Sequence, residues 1–78
     1  MLRISVGSKL KIKDIGIEIR KRRNYLRITQ IDLAEITGIG RRSLQYIENG
    51  KMNPSFEQLE KILDALGLEI NIRTRINE

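Results

Sequence analysis

The chain has no cysteine, no histidine, no tryptophan and a single proline, Pro54, among 78 residues. Lacking cysteine, it can form neither disulfides nor thiolate metal sites and needs no oxidising compartment. Lacking histidine, it is without the commonest general base and metal ligand, which leaves little from which to build a nucleophilic or metal-dependent centre. No enzyme activity, catalytic residue, cofactor or metal site is therefore expected. No apolar run approaches the ~20 residues of a membrane span, and the basic start lacks the apolar stretch of a signal peptide. The expectation is a cytoplasmic chain with no membrane partner. At this length it is one small domain with a marginal core, so self-association is expected too.

What the chain does have is positive charge, +5 net, a balance that suits a polyanionic partner. The charge is unevenly spread. Residues 1–27 carry nine Lys or Arg against two acids, Asp14 and Glu18, whereas residues 28–78 carry six against eight. Glu57, Glu60 and Asp64 gather late, and Arg41 and Arg42 stand alone in the middle.

Hydrophobic spacing predicts four helices with strand-like ends. Leu2-Arg3-Ile4-Ser5-Val6 alternates with period two, as either a short strand or a basic arm that continues through Lys9, Lys11 and Lys13. Asp14 is the expected N-cap of a first helix to about Tyr25, with Ile15, Ile19, Arg22 or Arg23, and Leu26 on one face. Thr29 can cap a second helix, with Asp32 completing a capping box, and Gly38 can end it in a left-handed conformation. Gly40 then caps a third helix, Arg41 to about Asn49, which Gly50 ends. Ser55 caps a fourth, whose apolar face is Phe56, Leu59, Ile62, Leu63 and Leu66, and Gly67 closes it. The tail from Leu68 to Ile76 alternates as a strand does.

Two helices crossing over the turn Gly38-Ile39-Gly40 need a small residue such as Ala34 where they meet and apolar residues on the inward side of the second. Leu44 and Ile47, three apart, supply that side, so Arg41, Arg42, Gln45, Tyr46 and Asn49 point outward. A pair of solvated surface arginines is the plain alternative for Arg41 and Arg42, and a ring packed on the scaffold is the plain alternative for Tyr46.

The segments "TQ" at 29–30, "LAEITG" at 33–38, "IENGK" at 47–51, Pro54 and "LGL" at 66–68 together resemble the Cro/C1-type (XRE) helix-turn-helix family of lambdoid phage repressors, over about residues 14–68. The alternating tail also resembles the HipB-like antitoxins of that family. The resemblance implies an all-α, lambda repressor-like DNA-binding domain at residues 14–67, preceded by an arm or strand at 1–13 and followed by a strand and tail at 68–78. It implies a recognition helix from Arg41 to Asn49 that enters the DNA major groove by its N-terminus, with Arg41, Arg42, Gln45 and Tyr46 at the base edges. Arginine grips guanine O6 and N7 with two hydrogen bonds, so G·C pairs are expected. Thr29, Gln30, Ser43, Asn49 and Lys51 match phosphate contacts, and Arg23 and Glu48 match a structural ion pair between the first and third helices. The sequence departs from the family at Gly40, where Ser or Thr often caps, and in its basic N-terminal extension.

The tail residues Leu68, Ile70, Ile72 and Ile76 form one face of a strand that is unstable alone. It can pair with Leu2–Val6 of its own chain or with its twin; a route that makes a homodimer is favoured, because two-fold symmetry sets two recognition helices one DNA turn apart. The function implied is a dimeric, autoregulatory repressor at a two-fold symmetric operator on double-stranded DNA, with an antitoxin that also binds a toxin kinase first within that class. The alternative is a protein-interaction module that keeps the scaffold without reading DNA.

Overall fold

Thr29 and Ser55 each start a helix by the same reciprocal pair of bonds. The Thr29 hydroxyl accepts from the Asp32 N–H at 3.0 Å while the Asp32 carboxylate accepts from the Thr29 N–H at 3.1 Å. Ser55 and Gln58 repeat the arrangement, with both bonds at 3.0 Å. Two orphan donors of each helix start are thereby satisfied. In the computed structural model, which describes residues 2–6 and 12–72 and the side chains of 14–71, the elements run β1 (Leu2–Val6), α1 (Ile12–Tyr25), α2 (Gln30–Thr37), α3 (Arg41–Glu48), α4 (Phe56–Leu66) and β2 (Leu68–Ile72). Gly38 and Gly67, at φ 75° and 68°, end α2 and α4 in the left-handed region, and Gly50 at φ 73° follows the Asn49 cap of α3. Gly40 caps α3 with no side-chain bond. None of the helices among the described residues is long and apolar enough to cross a membrane.

The core draws on every helix: Ile15 and Ile19 from α1, Leu33 from α2, Leu44 and Ile47 from α3, and Leu59, Ile62, Leu63 and Leu66 from α4, closed by Ile39 and Leu68. Ala34 is half-buried against it. Another close approach lies at Gly16 on α1, where an added Cβ would sit 2.4 Å from the Ile47 carbonyl oxygen and 2.7 Å from that of Glu48. A glycine inside a helix costs helix stability, and here it is what lets α1 lie directly against the end of α3.

Several expectations are corrected. Asp14 is not the cap: α1 begins at Ile12, and Asp14 sits in its first turn, where a carboxylate favours the positive helix end. Leu26 lies just past the end of α1 and is exposed. Phe56 shares the α4 stripe by spacing but is 70% exposed, because no described element covers that first turn; it stands over a groove with Leu63, Leu68 and Ile70. The tail strand pairs within the chain: β1 and β2 run parallel in the register Leu2↔Leu68 to Val6↔Ile72, with the helical domain as the crossover a parallel pair requires. Leu68, expected on a dimer strand, packs into the core of its own chain, and Ile70 is partly buried against it. Ile72 belongs to β2 by its backbone, and Ile76, like Lys9 and Lys11, lies outside the described residues.

Candidate functional site

α3 is held by its inner face and leaves the outer one free. Leu44 and Ile47 have no exposed surface and Glu48 almost none, whereas Arg41, Arg42, Gln45, Tyr46 and Asn49 are exposed and Ser43 is half-buried. The residues on the free face differ in how they are held. The Arg42 Nε donates to the Tyr46 hydroxyl at 3.2 Å, and its guanidinium carbon lies 5.8 Å from the centre of that ring. Arg41 instead lines an open concavity with Arg20, Arg27, Thr29 and Gln30, between the start of α2 and the end of α1.

Behind this face, the Glu48 carboxylate is the hub of the domain. Its side chain is fully buried, and four donor groups converge on it: Arg23 Nε at 2.8 Å and Nη2 at 2.9 Å, Gln30 Nε2 at 3.2 Å and Arg20 Nε at 3.4 Å. Arg23 also donates to the Ile28 carbonyl at 3.0 Å. Burial by itself pushes the Glu48 carboxyl up; the hydrogen bonds from Arg23 and Gln30, the Arg23 charge and the Arg20 hydrogen bond outweigh it and hold the carboxyl below the usual carboxylate range. The hydrogen bond to Glu48 in turn raises the Arg23 guanidinium, against the opposing effect of its own burial. The hub ties α1, α2 and α3 together and fixes the end of α3.

The groups matched to phosphate are partly committed within the chain. The Thr29 hydroxyl oxygen accepts in its cap, which leaves the O–H to donate. The Gln30 amide nitrogen gives one of its two hydrogens to Glu48, and its backbone N–H, at the first position of α2, has no intrahelical partner. Asn49 accepts from Arg20 through its side-chain oxygen, so its amide N–H groups remain available. Lys51 is exposed, with its backbone N–H anchored on the Tyr46 carbonyl at 2.8 Å.

Sequence reasoning missed three participants. Arg20 reaches both Glu48 and Asn49. Arg22, two residues on, turns away and donates to the Leu66 carbonyl at 2.9 Å, capping the end of α4. Arg27 has φ 59° and is the one non-glycine among the described residues in the left-handed region, in the tight turn that aims it into the basic concavity. The run "RKRRN" offered four adjacent cations, and nothing local distinguishes those that turn inward from Lys21, which pairs on the surface with Glu18 at 3.7 Å.

The helix-turn-helix family profile matches residues 19–72. An immunity repressor protein of Bacillus phage phi105 is 35% identical over 57 residues, 73% of this chain and 40% of that protein, so the chain spans about two fifths of its length. The ImmF control region 10 kDa protein of the same phage is 32% identical over 60 residues, 77% of this chain and 67% of that protein. Among solved structures, the restriction-modification controller protein C.AhdI from Aeromonas hydrophila superposes with a TM-score of 0.71 at 28% identity, over 74% of this chain and 88% of that one.

Proposed function

This chain belongs to the helix-turn-helix family, and on that premise we propose that it is a transcriptional repressor that binds double-stranded DNA in a sequence-specific manner, as a homodimer on a two-fold symmetric operator in the cytoplasm. The observation that carries the reading is the division of α3, whose inner face is locked by Leu44, Ile47 and Glu48 while Arg41, Arg42, Gln45 and Tyr46 stand outward. A helix fixed in this way reaches the major groove without paying to order itself, and an arginine on it separates G·C from the other pairs by ~1–3 kcal/mol. The Gln30 and Arg41 backbone N–H groups, the Asn49 amide, Ser43, Thr29 and Lys51 take the phosphates that set register. No catalytic step and no cofactor is involved.

Two copies place two such helices about 34 Å apart, one DNA turn. Residues 14–67 read the DNA and the strands serve assembly, with the groove beside the exposed Phe56 as the surface offered to the second copy. Repression of its own operon follows the habit of such small regulators. The strand tail that favoured a HipB-like antitoxin is paired with β1 in its own chain, so the immunity-repressor or controller reading now stands ahead of a toxin-binding one.

The test is selection of duplexes from a random library by the purified chain, followed by binding of the enriched duplex across a salt series. Enrichment of a symmetric, G·C-bearing site, with affinity falling linearly on a log–log salt plot, is expected. Absence of enrichment, or binding indifferent to salt, overturns the reading in favour of an interaction module. An Arg41→Ala/Arg42→Ala variant that stays folded loses the sequence preference.

A further inference from the structure

The two adjacent arginines at the head of α3 are not equivalent. Arg41 faces the basic concavity beside α2, and no hydrogen bond or ion pair among the described residues restrains it. Arg42 is restrained twice by one residue, a helical turn further on: its Nε donates to the Tyr46 hydroxyl at 3.2 Å and its guanidinium carbon lies 5.8 Å from the ring centre. Tyr46 itself sits between the buried Leu44 and Ile47 along the chain, is 39% exposed, and has its carbonyl tied to the Lys51 N–H at 2.8 Å. The Tyr46 backbone is thus held in place, and its ring and hydroxyl are the groups that meet the Arg42 guanidinium.

We propose that Tyr46 is a positioning residue for Arg42, and that the two read a single guanine as one unit in which Arg42 makes the base contact. The inference rests on the repressor reading and deepens it. A free arginine on a helix surface loses rotamer freedom when it grips a base. Committing Nε to the phenol oxygen removes much of that freedom beforehand and leaves the Nη1 and Nη2 hydrogens directed outward for the O6 and N7 acceptors of guanine. The negative face of the ring holds the cation in the same place. Arg41, with no such restraint, is left to the backbone or to a second base.

The experiment uses the duplex enriched by the parent chain and a set in which each G·C pair is changed singly, measured at one salt concentration with the parent, Tyr46→Phe, Arg42→Ala and the double variant. The phenylalanine keeps the ring, so thermal midpoints should stay close to the parent's. Tyr46→Phe is expected to weaken the enriched duplex about three- to tenfold, the range of one lost hydrogen bond. Discrimination should collapse at one G·C pair, the same one that Arg42→Ala stops reading. In the Arg42→Ala background, Tyr46→Phe should change affinity by less than about twofold, the limit of independent behaviour. Losses that add, a loss at a different pair, or an equal loss on every duplex overturn the proposal, because Tyr46 then acts on DNA or on the fold by itself. If the parent enriches no duplex, the repressor reading fails and this inference falls with it.

Discussion

Gly16→Ala sets a local rule against a tertiary one. On helix propensity alone the change is favourable by roughly 0.5–1 kcal/mol, since glycine in a helix interior is the more costly residue. In the folded chain the new Cβ would lie 2.4 Å from the Ile47 carbonyl oxygen and 2.7 Å from the Glu48 carbonyl oxygen, closer than the 3.0 Å below which real contacts essentially do not occur. Both obstacles are backbone, so no side chain can swing aside; α1 and α3 must part by more than half an ångström. Parting them strains the core beneath Ile19 and Leu44 and stretches the bonds from Arg23 and Arg20 to Glu48. Overpacking of this kind costs about 1–3 kcal/mol or more. The net expectation is a loss of about 1–2 kcal/mol, read as a fall of roughly 5–15 °C in the thermal midpoint of a domain this size by circular dichroism. At Gly40 nothing lies within 4 Å of an added Cβ, so Gly40→Ala meets no clash and loses only what alanine costs at an N-cap, the smaller change against which Gly16→Ala is compared. An unchanged or raised midpoint for Gly16→Ala would refute the close approach of the two helices.

Gly40→Ser should stabilise by a few tenths of a kcal/mol in urea titration, because Gly40 at φ −60° and ψ 143° already has cap geometry and open space for a hydroxyl. Glu48→Gln should cost ~3–5 kcal/mol, since it leaves the buried Arg23 without its counter-charge. For pH, the Glu48 carboxyl is lower in the folded chain than in the unfolded one, so its stabilisation is complete above the unfolded value of about 4.3 and is lost as pH falls through the lower folded value. The urea midpoint of the parent should therefore fall below about pH 4.5, and a Glu48→Gln chain with the same decline would contradict this. Arg27→Gly should raise stability by ~1 kcal/mol by removing a left-handed arginine; if the basic concavity that Arg27 lines meets phosphate, the change also lowers the salt slope of DNA binding by about one, and an unaltered slope would show that it does not.

Much of the fold was legible in the chain because helix starts and stops are settled within about four residues. Thr29 with Asp32, Ser55, Gly38, Gly50 and Gly67 each act on neighbours in sequence, and the structure finds them doing so. The outward set on α3 was legible for a related reason: once Leu44 and Ile47 turn inward, the helical period leaves no other face for Arg41, Arg42, Gln45 and Tyr46. Phe56 obeyed the same period and still came out exposed, since periodicity gives a direction and not a covering partner.

The sequence by itself determined where α2, α3 and α4 begin and end, the inward side of α3 and that a pair of arginines heads it. Those are short-range matters of backbone bonding and spacing. The resemblance already implied the Arg23–Glu48 pair; only the tertiary structure decided that Arg20 and Gln30 join it, that Arg22 caps α4, that β2 takes β1 of its own chain as its partner, and that Gly16 is a point where two helices touch. Each depends on the distance and rotation between elements 20 or more residues apart in most cases. Adjacent cations in a helix leave it about 100° apart, so a small rotation of α1 decides which of them finds the buried carboxylate.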